Sequence, residues 1–465
     1  MLRKRIFGFT SVILIALVWV QQITLFSSCA NIIPPVGGPR DSLPPVIVKI
    51  VPAANAVNVT TNKIVLEFDE YLQQFENARD NLVVSPLPVK TPEVQVRLHT
   101  VTVKLRDSLE PNTTYSIDFG NGIKDVNEGN VYKNFRYVFS TGPSIDSGQL
   151  SGKVILAETG KTDTTLLVCL YRNLDDSAVA KQTPRYYAKQ NGSGVFRFKN
   201  LPPGKFNIYA LQDEGGQKRY VSETQVFAFN NETVSAIAED KETVTLYAYA
   251  GRVEEPRPAA ASTETKLRVQ STLEQGMQDI LEPLSFEFNK PLKTIDTNKI
   301  KLADTLNQKL EGYTLVLDSA RKKITVQYKW KPGTDYRIVV QKDFALDDKG
   351  NTLPRGDTIK FRSRSLKDYG KVKIKFGASV LPARPVVQIL QSGKIIRSVP
   401  VTGKQVVIDL FKPGEYDLRM LNDENGNGVW DPGTFFVQKR QPERVTILSK
   451  RLNVRADWEN ELDVE

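Results

Sequence analysis

Reactive side chains are scarce in this sequence of 465 residues, which contains one histidine and two cysteines. Zinc centres and histidine proton relays need further ligands or partners of this kind, so His99 by itself provides neither. His99 lies in the alternating segment VRLHTVTVKL, which predicts a strand residue with a structural role. Cys169 lies in the apolar run LLVCLY and is expected to be a buried thiol. Enzymatic activity is therefore not expected.

A strong excess of one charge sign is also absent, because 63 lysines and arginines stand against 53 aspartates and glutamates. The basic residues are dispersed and alternate with apolar ones, as in RKKITVQYKWK at 321–331. This pattern is typical of the solvated face of strands. Nucleic acid is therefore not an expected partner.

One long apolar run occurs, from Ile6 to Val20, directly after the basic residues Arg3 to Arg5. About 15 apolar residues are too few to cross a hydrocarbon core of about 30 Å, but they suit the central part of a secretory signal peptide. Residues 1–28 are therefore predicted to be a signal peptide. Its removal would lower the formal net charge from +10 to about +7.

The stretch FSSC at 26–29 resembles the bacterial lipobox, in which small residues before the cysteine admit the lipoprotein signal peptidase. Phe26 departs from the usual aliphatic residue, although Leu25 stands beside it. The resemblance implies that Cys29 is linked to diacylglycerol and N-acylated, with acyl chains such as palmitate that hold it at a membrane. The alternative is an ordinary secretory signal that happens to contain a cysteine. Residues 29–43, rich in proline and glycine, are expected to form an extended tether.

Two kinds of segment each occur twice. IVLEFDEYL (64–72) recurs as LSFEFNKPL (284–292), 220 residues later. FKNLPPGKFNIYALQDEGG (198–216) recurs as IDLFKPGEYDLRMLNDENG (408–426), 210 residues later. Internal repeats of this kind predict repeated structural modules. The predicted modules are A1 (44–143), B1 (147–250), A2 (265–366) and B2 (369–465), with a flexible Pro/Ala-rich linker at 251–264 between the halves.

Each module has the hydrophobic period of β-strands. In KITVQYKW the alternation places Ile324, Val326, Tyr328 and Trp330 on one face, and polar residues on the other. Short strands of this kind are separated by Asn-Gly, Pro-Gly and Asp-Lys-Gly turns, which is typical of β-sandwiches. The predicted fold class is all-β: a tandem array of four antiparallel β-sandwich domains after the signal peptide.

The A modules resemble the bacterial Ig-like domain named after the S-layer protein SbsA, through PPVIVKIVPA, EFDE, KDVNEGN and FSTG. A2 is degenerate, because Asn289-Lys290 replaces Asp69-Glu70. The B modules are similar to prealbumin-like or carboxypeptidase-regulatory-like sandwiches, through the pattern G-x-F-x-F-x-N-L-P-P-G-x-F. Lipobox, tether and module order together resemble Ig-like lipoproteins of Bacteroidota, a family without assigned chemistry.

The stretch DENGNGVWDPGT (423–434) has the oxygen spacing of an EF-hand-type calcium loop. The predicted ligands are Asp423, Asn425, Asn427, Val429 through its carbonyl, and Asp431. Thr434 stands where such loops carry a bidentate glutamate, so only weak calcium binding is expected. The alternative is a polar hairpin with two Asn-Gly turns and no metal. The copy in B1 has Gly215 and Gln217 at ligand positions, which shows that the module can close this loop without them.

Other candidate site residues are few. Asp69 and Glu70 are adjacent in a strand-like segment and are expected to point to opposite faces, so they should not share a substrate. Among the aromatic residues, Trp430 and Trp458 are the candidates for an exposed platform that binds glycan.

These patterns predict a lipid-anchored, non-enzymatic scaffold of the cell envelope, which binds the membrane through its anchor and an envelope protein or glycan as partner. The alternatives are a carbohydrate-binding or adhesion lipoprotein, and an envelope hydrolase with acids converging between modules. Ala30 follows the cysteine, so the aspartate that retains many lipoproteins in the inner membrane is absent. ANIIPP (30–35) also lacks the acidic cluster of the Bacteroidota surface-export signal. We therefore expect the periplasmic face of the outer membrane, with the cell surface as the alternative.

Overall fold

The computed structural model describes residues 40–75, 82–237, 242–251, 266–377 and 381–465. The predicted all-β fold class is confirmed, since the described residues form 33 strands and a single short α-helix, α1 (Ala178–Lys181). Three 3-10 turns occur at Glu214–Gly216, Thr297–Lys299 and Leu366–Asp368. Most of the predicted linker lies outside the described residues, and the predicted module boundaries stay predictions.

The chain clusters into two compact units. The first comprises the described residues within Met1–Leu82, Pro88–Glu110 and Ile117–Val138. The second comprises Val83–Leu87, Pro111–Ser116 and the described residues within Phe139–Glu465.

Module A1 has a four-stranded and a three-stranded sheet. Its strands are β1 (Ile47–Val51), β2 (Lys63–Phe68), β3 (Val83–Ser85), β4 (Glu93–Arg97), β5 (Thr100–Lys104), β6 (Thr114–Asp118) and β7 (Arg136–Ser140). The strand orders are β1-β2-β5-β4 and β3-β6-β7. Ile64 and Leu66 of β2 lie opposite Val103 and Val101 of β5, and all four are buried as their alternation predicts.

The segment around His99 differs from the prediction. Leu98 and His99 form the turn between β4 and β5, so His99 is not inside a strand. The alternating pattern continues on both sides of this tight turn, which hides the turn in the sequence.

Module B1 consists of β8 (Gly148–Leu156), β9 (Leu166–Tyr171), β10 (Tyr186–Ala188), β11 (Val195–Leu201), β12 (Lys205–Gln212), β13 (Phe227–Phe229), β14 (Val234–Ser235) and β15 (Glu242–Ala248). One sheet has the order β11-β8-β15; the other has the order β10-β9-β12-β13, with β14 also paired to β12. Strand β15 runs parallel to β8, which departs from the purely antiparallel expectation.

Module A2 contains β16 (Val269–Ser271), β17 (Met277–Gln278), β18 (Leu284–Phe288), β19 (Leu292–Ile295), β20 (Ile300–Ala303), β21 (Thr314–Leu317), β22 (Lys323–Gln327), β23 (Asp335–Val340), β24 (Ala345–Asp347) and β25 (Asp357–Ser363). They form the sheets β16-β18-β22-β21, β17-β25-β23-β20 and β19-β24. Ile324, Val326 and Trp330 are buried on the predicted face.

Module B2 contains β26 (Gly370–Phe376), β27 (Pro385–Gln391), β28 (Lys394–Pro400), β29 (Gln405–Phe411), β30 (Gly414–Asn422), β31 (Arg444–Ile447), β32 (Leu452–Val454) and β33 (Glu459–Val464). The sheets are β29-β26-β33 and β28-β27-β30-β31, with β32 also paired to β30. Strand β33 runs parallel to β26, as β15 does to β8, so B1 and B2 repeat one topology.

B1 and B2 share one aromatic core within the second unit. The ring of Phe435 in B2 lies 5.6, 5.1 and 5.0 Å from the rings of Tyr209, Phe227 and Phe229 in B1. Phe435 is only 5% exposed, because these rings enclose it. We call this contact the B1–B2 junction. Aromatic pairs at such distances stabilise a contact beyond the apolar area that they bury.

Polar contacts accompany the B1–B2 junction. The N–H of Val445 donates to the carbonyl of Ala157 at 2.9 Å, and Gln441 Nε2 donates to the carbonyl of Phe229 at 3.0 Å. Gly160 has φ +70°, and a Cβ there would lie 2.8 Å from the Val445 carbonyl oxygen. The two chain segments therefore approach so closely that only glycine fits at this position.

A buried carboxylate joins A2 to B2. Tyr369 Oη donates to Asp279 Oδ1 at 2.5 Å, and Lys412 Nζ lies 2.9 Å from Asp279 Oδ2. Burial alone would raise the pKa of Asp279, but hydrogen bonds from Tyr369, Leu281 and Lys412 outweigh it and lower the pKa. Asp279 is thus held as a paired anion at the contact between these modules.

Truncation of Phe435 tests the B1–B2 junction. We expect Phe435→Ala to lower the free energy of unfolding by about 3–5 kcal/mol, because it leaves a cavity among buried rings. Val437, two positions further along the chain, is 93% exposed, so Val437→Ala serves as the control, with an expected loss below about 1 kcal/mol. Urea denaturation measures both. Equal losses for the two variants would show that Phe435 does not hold the modules together.

Candidate functional site

The predicted lipidation site, Cys29, lies outside the described residues, as does the predicted signal peptide at 1–28. Residues 40–465, apart from the gaps given above, contain no helix that is long and apolar enough to span a membrane. Lipid attachment at Cys29 therefore stays a prediction.

The candidate calcium loop is built around Asp423, which lies directly after β30 and is 3% exposed. Its Oδ1 accepts hydrogen bonds from the N–H groups of Gly426 and Asn427 at 2.8 and 3.2 Å. Its Oδ2 accepts the N–H of Gly428 at 2.7 Å. The two glycines have φ +78° and +77°, a left-handed conformation that glycine adopts without strain. The carboxylate of Asp423 thus folds the backbone of the loop around itself.

The other predicted ligands bond to one another. Asp431 Oδ2 accepts hydrogen bonds from Nδ2 of Asn425 at 2.6 Å and from Nδ2 of Asn427 at 2.7 Å. Asn427 Oδ1 accepts the N–H of Val429 at 2.7 Å. The structure therefore brings the five predicted residues into one loop. The side chains of Asn425 and Asn427, however, turn their N–H groups toward Asp431, whereas a calcium ion would be bound by their oxygen atoms.

Glu443 also supports this loop, although it is not among the predicted ligands. Its carboxylate accepts the N–H of Glu424 at 2.8 Å and the N–H of Asp431 at 3.0 Å. Burial raises the pKa of Glu443, and these backbone donors oppose the rise. Glu443 lies outside the 12-residue spacing, so no local pattern identifies it.

Hydrogen bonds of the chain itself account for the shape of the loop. In the described part of the chain, no three side chains of His, Cys, Asp or Glu are grouped as metal ligands. The B1 copy is closed by Asp213, which accepts the N–H of Lys218 at 2.7 Å and pairs with its Nζ at 3.4 Å. The observed hydrogen bonds fit the metal-free hairpin, and calcium binding stays a hypothesis for the test below.

The two tryptophans considered for a glycan platform differ in exposure. Trp430 is 4% exposed and its Nε1 donates to the carbonyl of Glu443 at 2.7 Å, so its interpretation as a platform is wrong. It packs in the core shared by B1 and B2, a contact that local sequence does not reveal. Trp458 is 62% exposed, with the guanidinium of Arg455 5.7 Å from its ring centre.

Acids converge in one cavity of about 250 Å³ at the A2–B2 contact, the arrangement that the hydrolase alternative requires. Glu274, Asp279 and Glu282 line it, together with Lys412. Glu274 pairs with Arg364 at 2.9 Å, and Asp279 pairs with Lys412. The lowered pKa of Asp279 is the opposite of what a general acid needs.

Asp69 and Glu70 have different surroundings. Asp69 Oδ1 accepts the N–H of Val46 at 2.7 Å, which fixes the start of β1. Burial and the negative charges of Asp41, Asp69, Asp125 and Glu128 raise the pKa of Glu70.

The corresponding position in A2 carries the opposite charge. Lys290 Nζ lies 3.3 Å from Asp347 Oδ2. Burial alone would raise the pKa of Asp347, but hydrogen bonds from Asn351, Lys290 and Lys349 lower it to about 2. The degenerate A2 copy has thus gained an internal ion pair.

Cys169 and His99 both lie in structural surroundings. Cys169 is buried in β9, and burial raises the pKa of its thiol, which makes it a poor nucleophile. His99 stacks on Tyr71 with ring centres 4.4 Å apart.

The class of protein follows from these sheets: an all-β chain of sandwich modules in which A1 is Ig-like. Residues 41–141 match the family of bacterial Ig-like domains. Comparison with curated proteins found no match.

The solved structures that are similar to parts of this chain include the following three, all at low similarity. The N-terminal part of the S-layer protein SbsC is 15% identical over 43% of this chain and 45% of its own, with a TM-score of 0.17. An L,D-transpeptidase from Mycobacterium smegmatis is 13% identical over 33% and 79%, with a TM-score of 0.17. BcpA, the major pilin subunit of Bacillus cereus, is 8% identical over 69% and 99%, with a TM-score of 0.17. This chain thus spans less than half of the SbsC segment, and TM-scores of this size carry no functional argument.

Two measurements test whether hydrogen bonds or a calcium ion close the loop at 423–434. We expect Asp423→Ala to lower the free energy of unfolding by about 1–3 kcal/mol, because the N–H groups of Gly426 and Gly428 lose their acceptor. We expect the melting temperature of the wild-type chain to be the same with calcium and with chelator. A rise with calcium that is lost in Asp431→Asn would instead establish a cation site, since a ligand of the native state raises its stability.

The Lys290–Asp347 pair predicts a pH dependence. The pKa of Asp347 is about 2 in the folded chain and 3.8 ordinarily, so its contribution to stability is present above about pH 4 and is lost as the pH falls toward about 2. We expect Lys290→Met to weaken this dependence, because the pKa of Asp347 then lies nearer its ordinary value. Urea denaturation at several pH values measures it. An unchanged pH profile in Lys290→Met would contradict the pairing.

Proposed function

We propose that this chain is a lipid-anchored scaffold of the bacterial cell envelope that holds or positions a partner and performs no chemistry of its own. The match of residues 41–141 to bacterial Ig-like domains supports a structural or adhesion role. The observation that carries the proposal is the B1–B2 junction. Modules that are packed through a buried Phe435 present their outer surfaces in a fixed relation, which a scaffold needs.

The state of the polar groups favours a scaffold over a hydrolase. Two of the three acids at the A2–B2 cavity, Glu274 and Asp279, are held in ion pairs, and the Cys169 thiol is buried. A hydrolase needs one acid with a raised pKa, which donates a proton, and a second acid with a lower pKa, which stays ionised. Asp279 has a lowered pKa and Glu274 pairs with Arg364, so this pair does not supply that arrangement.

The start of the described chain fits a tether that precedes A1. Arg40 Nη2 donates to the carbonyl of Glu128 at 3.5 Å, and Asn130 Nδ2 donates to the carbonyl of Asp41 at 3.2 Å. The chain thus enters A1 beside the loop at 125–130. A lipid at Cys29 would then be connected to A1 through residues 29–39. The proposed location is the periplasmic face of the outer membrane, with the cell surface as the alternative.

A glycan-binding role is the second candidate, favoured by the exposed ring of Trp458 beside Arg455. Aromatic faces of this kind stack on sugar rings. The partner of the scaffold would then be an envelope glycan.

Metabolic labelling tests the anchor. Cells that express the wild-type chain receive a fatty-acid analogue, and we expect the label and the membrane association to be lost in Cys29→Ser. Cys169→Ala is the matched control, since Cys169 is the other cysteine of the chain and should leave labelling intact. An unlabelled wild-type chain, or Cys29→Ser that stays membrane-bound, would overturn the lipid anchor.

Protease treatment of intact cells then separates the two faces of the outer membrane. Protection of the labelled chain supports the periplasmic face, and cleavage moves the proposal to the cell surface.

A further inference from the structure

Exposed apolar side chains gather where three segments of A1 meet. The N–H of Leu72 donates to the carbonyl of Leu98 at 2.9 Å, and the N–H of Val126 donates to the carbonyl of Tyr71 at 2.9 Å. The rings of Tyr71 and His99 stack with an interplanar angle of 22°. We call Tyr71, Leu98, His99 and Val126 the Tyr71 patch.

Three residues of the Tyr71 patch are at least half exposed. Leu98, Tyr71 and Val126 are 61%, 52% and 50% exposed. Leu98 also has φ +55°, a left-handed conformation that favours glycine or asparagine in a tight turn. A leucine at this turn thus neither fills a core nor suits the backbone, and contiguous exposed apolar residues mark interaction surfaces.

Acidic residues lie near Glu70, which directly precedes Tyr71 in the chain. The charged groups that act most strongly on Glu70 are Asp41, Asp69, Asp125 and Glu128, all of them acidic. Asp125 is 1% exposed and accepts the N–H groups at positions 128, 129 and 130 at 2.7, 3.0 and 2.7 Å. The negative charge at this rim would attract a cation.

The A2 copy shows which chemistry fits beside this aspartate. Asp125 pairs with Leu72 as Asp347 pairs with Leu292, so the two aspartates occupy the same place in their modules. In A2 the ammonium of Lys290 lies 3.3 Å from Asp347, whereas A1 has Glu70 at the position of Lys290. At this position A1 therefore carries a carboxylate where A2 carries an ammonium group.

We propose that the Tyr71 patch and its acidic rim dock a basic and apolar segment of a partner protein. A lysine or arginine of the partner lies at Glu70, where A2 holds Lys290, and a neighbouring apolar side chain packs on Tyr71 and Leu98. This inference goes beyond the proposed function, because it does not require a lipid at Cys29. Apolar contact and charge complementarity together give the partner both affinity and a fixed orientation.

Peptide binding to the full chain tests the proposal. The probe is a dye-labelled peptide of alternating lysine and leucine, and fluorescence anisotropy measures its dissociation constant. Peptides of alternating lysine and serine, and of alternating glutamate and leucine, are the comparisons. We expect the lysine-leucine peptide to bind more tightly than both, by at least about tenfold, because only it matches the apolar and the charged parts of the surface.

Two variants and one control locate the binding. We expect Glu70→Lys, which copies A2, and Leu98→Asn, which suits the left-handed turn, each to weaken binding by about tenfold. Because asparagine relieves the backbone at position 98, a loss in Leu98→Asn without a fall in melting temperature cannot arise from unfolding. Glu93→Lys makes the same charge change on the exposed start of β4 and should leave binding within about twofold.

Three results would overturn the proposal: no binding of the lysine-leucine peptide, equal binding of the lysine-serine peptide, or equal losses in Glu93→Lys and Glu70→Lys. A photo-crosslinking residue placed at Leu98 adds a test in cells. Crosslinks to residues 29–39 of the same chain, or to a second copy of it, would assign the patch to those occupants and also overturn the proposal.

Discussion

The packing of Phe435 against Tyr209, Phe227 and Phe229 is the interaction on which the arrangement of the second unit depends. It joins B1 to B2, which are separated in sequence by the whole of A2. A chain of sandwiches with free linkers would change its geometry under thermal motion. A shared buried core removes that freedom for B1 and B2, and the buried contact of Asp279 with Tyr369 and Lys412 adds A2.

All four modules contain a loop that is folded around an aspartate, but the groups that pair with this aspartate differ between modules. In each module an aspartate folds a loop around its carboxylate: Asp125, Asp213, Asp347 and Asp423. In B1 and A2 a lysine of the same module also pairs with it, Lys218 with Asp213 and Lys290 with Asp347. In B2 the N–H groups of glycines bond to the carboxylate, and in A1 further acids stand nearby. B1 and A2 thus balance this carboxylate with a lysine of their own, whereas A1 has Glu70 at the position of Lys290.

Local sequence predicted the strands well but not the contacts between modules. The alternation of apolar and polar residues correctly predicted that Val101 and Val103 lie on one buried face, because successive side chains of a strand point to opposite faces. The same alternation hid the turn at His99, since a two-residue turn keeps the pattern in phase. The burial of Trp430 and Phe435 depends on residues about 200 positions away, which no local period contains. Glu443 was missed for the same reason, since it reaches the loop at 423–434 through tertiary structure.

The entry point of the chain relates the Tyr71 patch to the anchor. Arg40 and Asp41 bond to the loop at 125–130, and the patch includes Val126 of that loop. If residues 29–39 are extended as their prolines favour, Cys29 lies within about 35 Å of this loop. A partner at the patch would then act within that distance of the membrane. Under these two proposals the anchor concerns the tether and the docking surface concerns A1, whereas the contacts among B1, A2 and B2 lie within the second unit.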